Sequence, residues 1–69
     1  SLELCVQVGD KKQIALTLHN MGYIALAQKD WARALDLFTR SRDLYAGIGL
    51  ENKIRQEEEM MREARRGME

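Results

Sequence analysis

Slid against itself by 40 residues, this chain repeats. Ser1 falls on Ser41, Leu4 on Leu44, Gly9 on Gly49 and Ile14 on Ile54, while Glu3 meets Asp43 and Val8 meets Ile48. Four identities in the first fourteen positions stand against about one expected at roughly 7% per position for average composition. Residues 1–9 therefore occupy the place that residues 41–49 hold in the next unit, and the chain is expected to open inside a repeat. The register then fades. Residues 15–29 and 55–69 share only Met21 with Met61, and Gly22 is answered by Arg62. The trailing segment takes the place of a repeat's first helix without its pattern.

The repeating unit reads as helical. There is no proline, and β-branched residues are sparse and never alternate with polar ones, so strand signals are absent. Residues 1–8 form an apolar stub expected to end at Gly9 as a left-handed cap. Asp10 then reads as an N-cap, with Gln13 completing a capping-box-like pair. Over residues 11–29 the apolar Ile14, Leu18, Met21 and Ala25 fall on one helical face. Asp30 caps the next helix, whose inner face is Trp31, Ala34, Leu35, Phe38, Ser41, Tyr45 and Ile48, and Gly47 and Gly49 mark its end. A last helix spans residues 50–66 and frays at Gly67. Links this short fold consecutive helices back as antiparallel hairpins. The expected architecture is all-α: residues 1–9 end one repeat, 10–49 make a full hairpin, and 50–69 form a capping helix.

Composition limits the function. At 69 residues and 8.0 kDa the chain is one domain at most, and a domain this small buries only about 60% of the surface its unfolded chain exposes. Eleven Lys and Arg against eleven Asp and Glu give a net charge of zero, which argues against nucleic acid as a partner. No apolar run reaches the roughly 18–20 residues of a membrane span, and no signal peptide opens the chain. Cys5 is the single thiol and His19 the single imidazole, too few for an internal disulfide or a zinc site. A reducing compartment, the cytoplasm, fits that usage. Ser1 in place of an initiator Met fits a processed product or a piece of a longer protein. There is no nucleophile–base pair and no glycine-rich phosphate loop, so the reading is a non-enzyme without cofactor or metal.

Two blocks at fixed spacing carry a family resemblance. Leu18-x2-Met21-Gly22-x2-Ala25 and then Ala34-x3-Phe38 follow the pattern W-x2-L-G-x2-Y and A-x3-F of the tetratricopeptide repeat. Gly22, Ala34 and Phe38 match outright; Leu18, Met21 and Ala25 are apolar stand-ins. The closing Pro of the pattern is replaced by the turn at Gly47 and Gly49, which stretches the usual 34-residue period to 40. In this the chain resembles the longer-period repeats of kinesin light chains and bacterial peptide-sensing regulators, and residues 15–49 cover one complete unit. The resemblance implies an α-solenoid in which Leu18, Met21, Gly22, Ala25, Ala34 and Phe38 pack the repeat. Mid-helix Gly22 costs about 1 kcal/mol relative to Ala, and close approach of a second helix, with Ala34 facing it, is the expected compensation.

The first long helix has a second face. Leu16, Asn20, Tyr23 and Ala27 recur at spacings of four, three and four. The resemblance implies that this face lines a groove for a protein or extended peptide. It makes Asn20, whose amide both donates and accepts, a clamp for ligand backbone, with His19 and Tyr23 as neighbouring contacts. The charges elsewhere read as solvated faces. Asp36 with Arg40, Glu51 with Arg55 and Glu58 with Arg62 have helix-supporting order. Residues 50–69 hold eleven of the twenty-two charges around a narrow stripe of Leu50, Ile54, Met61, Ala64 and Met68, the composition of a solenoid's terminal helix. The expected role is a peptide-binding scaffold. The alternative is a structural self-association module, with the isolated chain a homodimer.

Overall fold

The computed structural model describes residues 8–69. They form three helices joined by two short turns: α1 (Val8–Ala27), α2 (Trp31–Gly47) and α3 (Glu51–Met68). Among the described residues there is no strand, and no helix is long and apolar enough to cross a membrane. The described residues are all-helical and hairpin-like, with α2 packed on both α1 and α3.

Both turns are built the same way. After α1, the Asp30 N–H donates to the Ala25 carbonyl (2.8 Å) and the Lys29 N–H to the Leu26 carbonyl (2.9 Å). After α2, the Leu50 N–H donates to the Tyr45 carbonyl (3.1 Å) and the Gly49 N–H to the Ala46 carbonyl (3.2 Å). Each is a Schellman motif, which satisfies carbonyls orphaned at a helix end and requires a left-handed residue just past it. That residue is Lys29 (φ 61°) in the first turn and Gly49 (φ 74°) in the second. The next helix starts at once: the carbonyls of Asp30 and Leu50 accept from Ala34 (2.9 Å) and Ile54 (3.0 Å). Asp30 stands at the N-cap position, but its side chain makes no capping hydrogen bond.

Three expected boundaries move. α1 runs through Gly9 and Asp10, so Gly9 does not cap a preceding helix and Asp10 is not an N-cap. A helical Gly costs only about 1 kcal/mol, and Asp10 in the first turn complements the helix dipole. The rest of the stub, residues 1–7, lies outside the described residues. At the other end Gly67 lies inside α3 rather than at a frayed end. Trp31, at the start of α2, lays its ring against Gly67 where any Cβ would have to stand. Arg65 and Arg66 sit in that last turn, the favourable sign for a C-terminus.

The core is made of Ala25, Ala34, Leu37, Phe38, Met61 and Ala64, with Leu18, Leu26, Leu35 and Met60 packed against it. Phe38 is its centre, wholly inaccessible to solvent. A Cβ on Gly22 would stand 2.8 Å from two carbons of the Phe38 ring, so the missing side chain of Gly22 is the space that ring fills. The compensation expected from a second backbone facing Ala34 thus comes from Phe38 instead. Further along, the Ser41 hydroxyl donates to the Ala15 carbonyl (2.8 Å), both residues being fully buried. With a donor of α2 bonded to the backbone of α1, the helices approach closely at Ala15 and Ser41, where only small side chains fit between them.

This closeness overturns the expected inner face of α1. Ala15, Gly22 and Ala25 are buried, whereas Ile14 and Met21 are 50% and 39% exposed. Met21, expected to pack the repeat, lies on the outer flank; Leu18 is half-buried. On α3 the apolar stripe does turn inward at Met61 and Ala64, with Leu50 and Ile54 half-buried and Met68 exposed. Asp36 and Arg40 form the exposed i,i+4 pair at 3.3 Å. Arg42 pairs with its neighbour Asp43 (2.9 Å).

Candidate functional site

Leu16, Asn20, Tyr23 and Ala27 form one stripe along α1, and all four are exposed. They sit on the flank of α1 next to the row that α2 covers. One step round the helix from Asn20, His19 turns inward and is only 8% exposed. This corrects the expectation that His19 offers its ring to a ligand. Its Nδ1 stands 2.7 Å from Oε2 of Glu57 and 3.0 Å from Oε1, and Glu57 itself is 1% exposed.

His19 belongs to α1 and Glu57 to α3, 38 residues apart. The pair therefore ties the two outer helices directly across the molecule. A polar group removed from water is costly unless it is hydrogen-bonded, and the carboxylate answers with both oxygens. Among the described residues no buried side-chain nitrogen or oxygen is left without a partner. Tyr45, buried on α2, has its phenol pushed above the ordinary value of 10.0, first by burial and then by the negative charge of Glu57.

The same pair fixes an exposed aromatic. Tyr23 lies one helical turn beyond His19, with ring centroids 4.9 Å apart and planes at 87°. Phe38 meets His19 at 5.6 Å and Tyr23 at 6.0 Å, both edge-to-face. Such T-shaped contacts contribute about 0.5–1.5 kcal/mol beyond the buried area. Tyr23 nevertheless stays 48% exposed. Its inner edge meets a buried cluster while the rest of the ring faces outward, so the packing beneath it sets the orientation of the ring. On α3, Lys53, Gln56 and Met60 share a helical face with Glu57 at spacings of three and four.

The packing residues divide in the same way. Gly22, Ala25, Ala34 and Phe38 are buried, while Met21 is exposed. Glu57 escaped the sequence reading, which assigned the charges of α3 to solvent. A signal was present: Glu57 stands three residues after Ile54 and four before Met61, on the one apolar stripe of that helix. Among the described residues no cluster of His, Cys, Asp and Glu could hold a metal ion. No protein-family model matches the chain, and neither a curated protein nor a solved structure does.

Proposed function

We propose that this chain is a protein- or peptide-binding scaffold module, a tetratricopeptide-like hairpin of α1 and α2 closed by α3, acting without catalysis or cofactor. One observation carries the reading. Leu16, Asn20, Tyr23 and Ala27 are exposed in a row, and the aromatic among them is held by the His19–Glu57–Phe38 cluster below it. A rigid aromatic beside an amide suits an extended peptide: the ring contributes apolar area at small entropic cost, and the amide bonds backbone in both directions. The Leu18 to Phe38 spacing and the 40-residue period support the family assignment, and the single thiol at Cys5 suits the cytoplasm.

The test is selection of peptides on the 69-residue chain from a random extended-peptide library, followed by calorimetric titration of the selected sequences. Asn20→Ala and Tyr23→Ala are each expected to weaken binding by roughly 1–3 kcal/mol, the scale of a desolvated hydrogen bond or an aromatic anchor, with helicity intact. Selected peptides that bind both variants as tightly as the parent would overturn the reading, as would the absence of any binder.

A further inference from the structure

The 40-residue register keeps two identities between α1 and α3, Ile14 with Ile54 and Met21 with Met61. Both fall on one helical face, where Thr17 answers Glu57 and Ile24 answers Ala64. On α3 that face is the packed one. Glu57, Met61 and Ala64 are buried and Ile54 is half-buried. The face meets α2, with Met61 and Ala64 in one core with Ala34, Leu37 and Phe38. On α1 the same face is bare: Thr17 is exposed, and Ile14, Met21 and Ile24 are 50%, 39% and 58% exposed. α1 meets α2 through a different face, on which Ala15, His19, Gly22 and Ala25 are buried.

The converse holds on α3. There the counterparts of Ala15, His19, Gly22 and Ala25 are Arg55, Glu59, Arg62 and Arg65, all charged and all exposed. A helix seated on them would bury four charges, and a buried charge is costly without a partner. α1 thus has both packing faces of the unit and uses one, whereas α3 has only the other.

We infer that the Ile14, Thr17, Met21 and Ile24 flank of α1 is a docking surface for one further helix of the α2 sequence type, seated on α1 as α2 is seated on α3. The register, not charge, identifies this occupant, because the residues at the same helical positions of α3 already meet α2. Thr17 stands where Glu57 does and brings no charge to bury, and its hydroxyl is already donated to the Gln13 carbonyl (3.0 Å). A depression lined by Met21, Ile24, Ala25, Gln28 and Arg33 leaves room on this flank for a side chain of the incoming helix. A second folded copy of the chain cannot supply that helix, because the α2 surface that would face α1 is covered by its own α3. Stacked repeats bury one continuous core in this manner, and here the stack is open on the α1 side alone. The inference rests on the 40-residue repeat and not on the Leu16, Asn20 and Tyr23 row.

Titration of the 69-residue chain into a fluorescently labelled peptide of residues 31–49, the α2 sequence with its turn, tests this. Saturable one-to-one binding is expected below millimolar concentration. Met21→Glu and Ile24→Glu in the chain should each weaken it by about tenfold or more, as loss of a central apolar anchor does. Both residues are exposed, so helicity by circular dichroism should be unchanged in either variant. Asn20→Ala, on the other row, should leave this binding as it is. The absence of saturable binding up to millimolar concentration overturns the inference. So does binding that ignores either glutamate substitution, or binding that is lost with Asn20→Ala.

Discussion

α2 holds its two neighbours by different means. Towards α1 it meets small residues: Ala15 under the Ser41 hydroxyl, Gly22 under Phe38, and Ala25. Of the large apolar residues of α1, Leu18 and Leu26 are half-buried against the core, while Ile14, Leu16, Met21 and Ile24 stay outside. Towards α3 it meets an otherwise polar helix that turns in its few apolar residues, Met61 and Ala64, together with one charge, Glu57. Hydrophobicity thus selects the buried face on α3 and fails to select it on α1. Apolar residues fill a gap between helices, but small ones win where the backbones approach closely, because a well-packed interior does not admit extra volume. The pair of His19 and Glu57 joins the two regimes, since each outer helix gives one partner.

Breaking that link is expected to have the largest effect. His19→Leu leaves the Glu57 carboxylate buried and alone, a loss of about 3–5 kcal/mol, comparable with the whole stability of a domain this small. Urea denaturation followed by circular dichroism should show the variant largely unfolded. The double variant His19→Leu/Glu57→Met should recover much of the loss, because a buried pair replaced by apolar residues is often neutral or stabilising. If the double variant is as unstable as the single one, packing around His19 matters more than the charge.

The two glycines sharpen the contrast. Gly22→Ala drives a methyl against the ring of Phe38, which is enclosed on all sides; overpacking of this kind costs about 1–3 kcal/mol, offset by the roughly 1 kcal/mol of helix propensity that alanine recovers. Gly67→Ala meets the Trp31 ring instead. Trp31 is half-buried at the first position of α2, so its ring can swing outward, and alanine recovers about 1 kcal/mol of helix propensity. The net change at Gly67 should be within about 1 kcal/mol by the same denaturation assay, and equal losses at the two sites would remove the distinction between centre and end.

The two turns make a milder comparison, because their hydrogen bonds are the same and only the left-handed residue differs. A left-handed conformation costs a residue with a Cβ roughly 1–2 kcal/mol, partly offset by the greater entropy a glycine loses on folding. Lys29→Gly should therefore stabilise the chain by up to about 1 kcal/mol, and Gly49→Ala should destabilise it by a similar amount. A Lys29→Gly variant with a lower thermal midpoint would mean that the lysine side chain contributes something the turn geometry does not explain.

The smallest effect is with pH. Tyr45 is raised above 10.0 in the folded chain by burial and by Glu57, so the folded state keeps the phenol proton to higher pH than the unfolded state does. Between the two values the folded chain binds more protons, and stability falls as pH rises. The contribution is intact below about pH 10 and is lost as pH climbs through the folded value. Tyr45→Phe should flatten that alkaline decline in thermal melts recorded across the range.

Much of the fold was legible in residues that act locally. The glycine at 49, the aspartate at 30 and the helical spacing between them mark two helices and their turn without reference to anything distant. That Lys29 takes the left-handed position of the first turn was not legible, because a lysine in a left-handed cap has no signature of its own. Gly22 pointed to a close approach, but that Phe38 supplies it depends on where α2 crosses α1. In the candidate site, the Leu16, Asn20, Tyr23 and Ala27 row follows from spacing alone, whereas the inward turn of His19 does not.

What the sequence by itself determined is the set of helices, since propensity, glycine placement and the absence of proline act within a few residues of each other. What only the tertiary structure decided is which face of α1 is inside and that Glu57 joins the buried face of α3. On α1 the close contact at Ala15 and Gly22 turned Ile14 and Met21 outward, and Glu57 went inward because His19, 38 residues earlier, was there to receive it. A buried charge is tolerated only beside its partner, and a partner that distant in the chain is brought near only by the packing of the helices between.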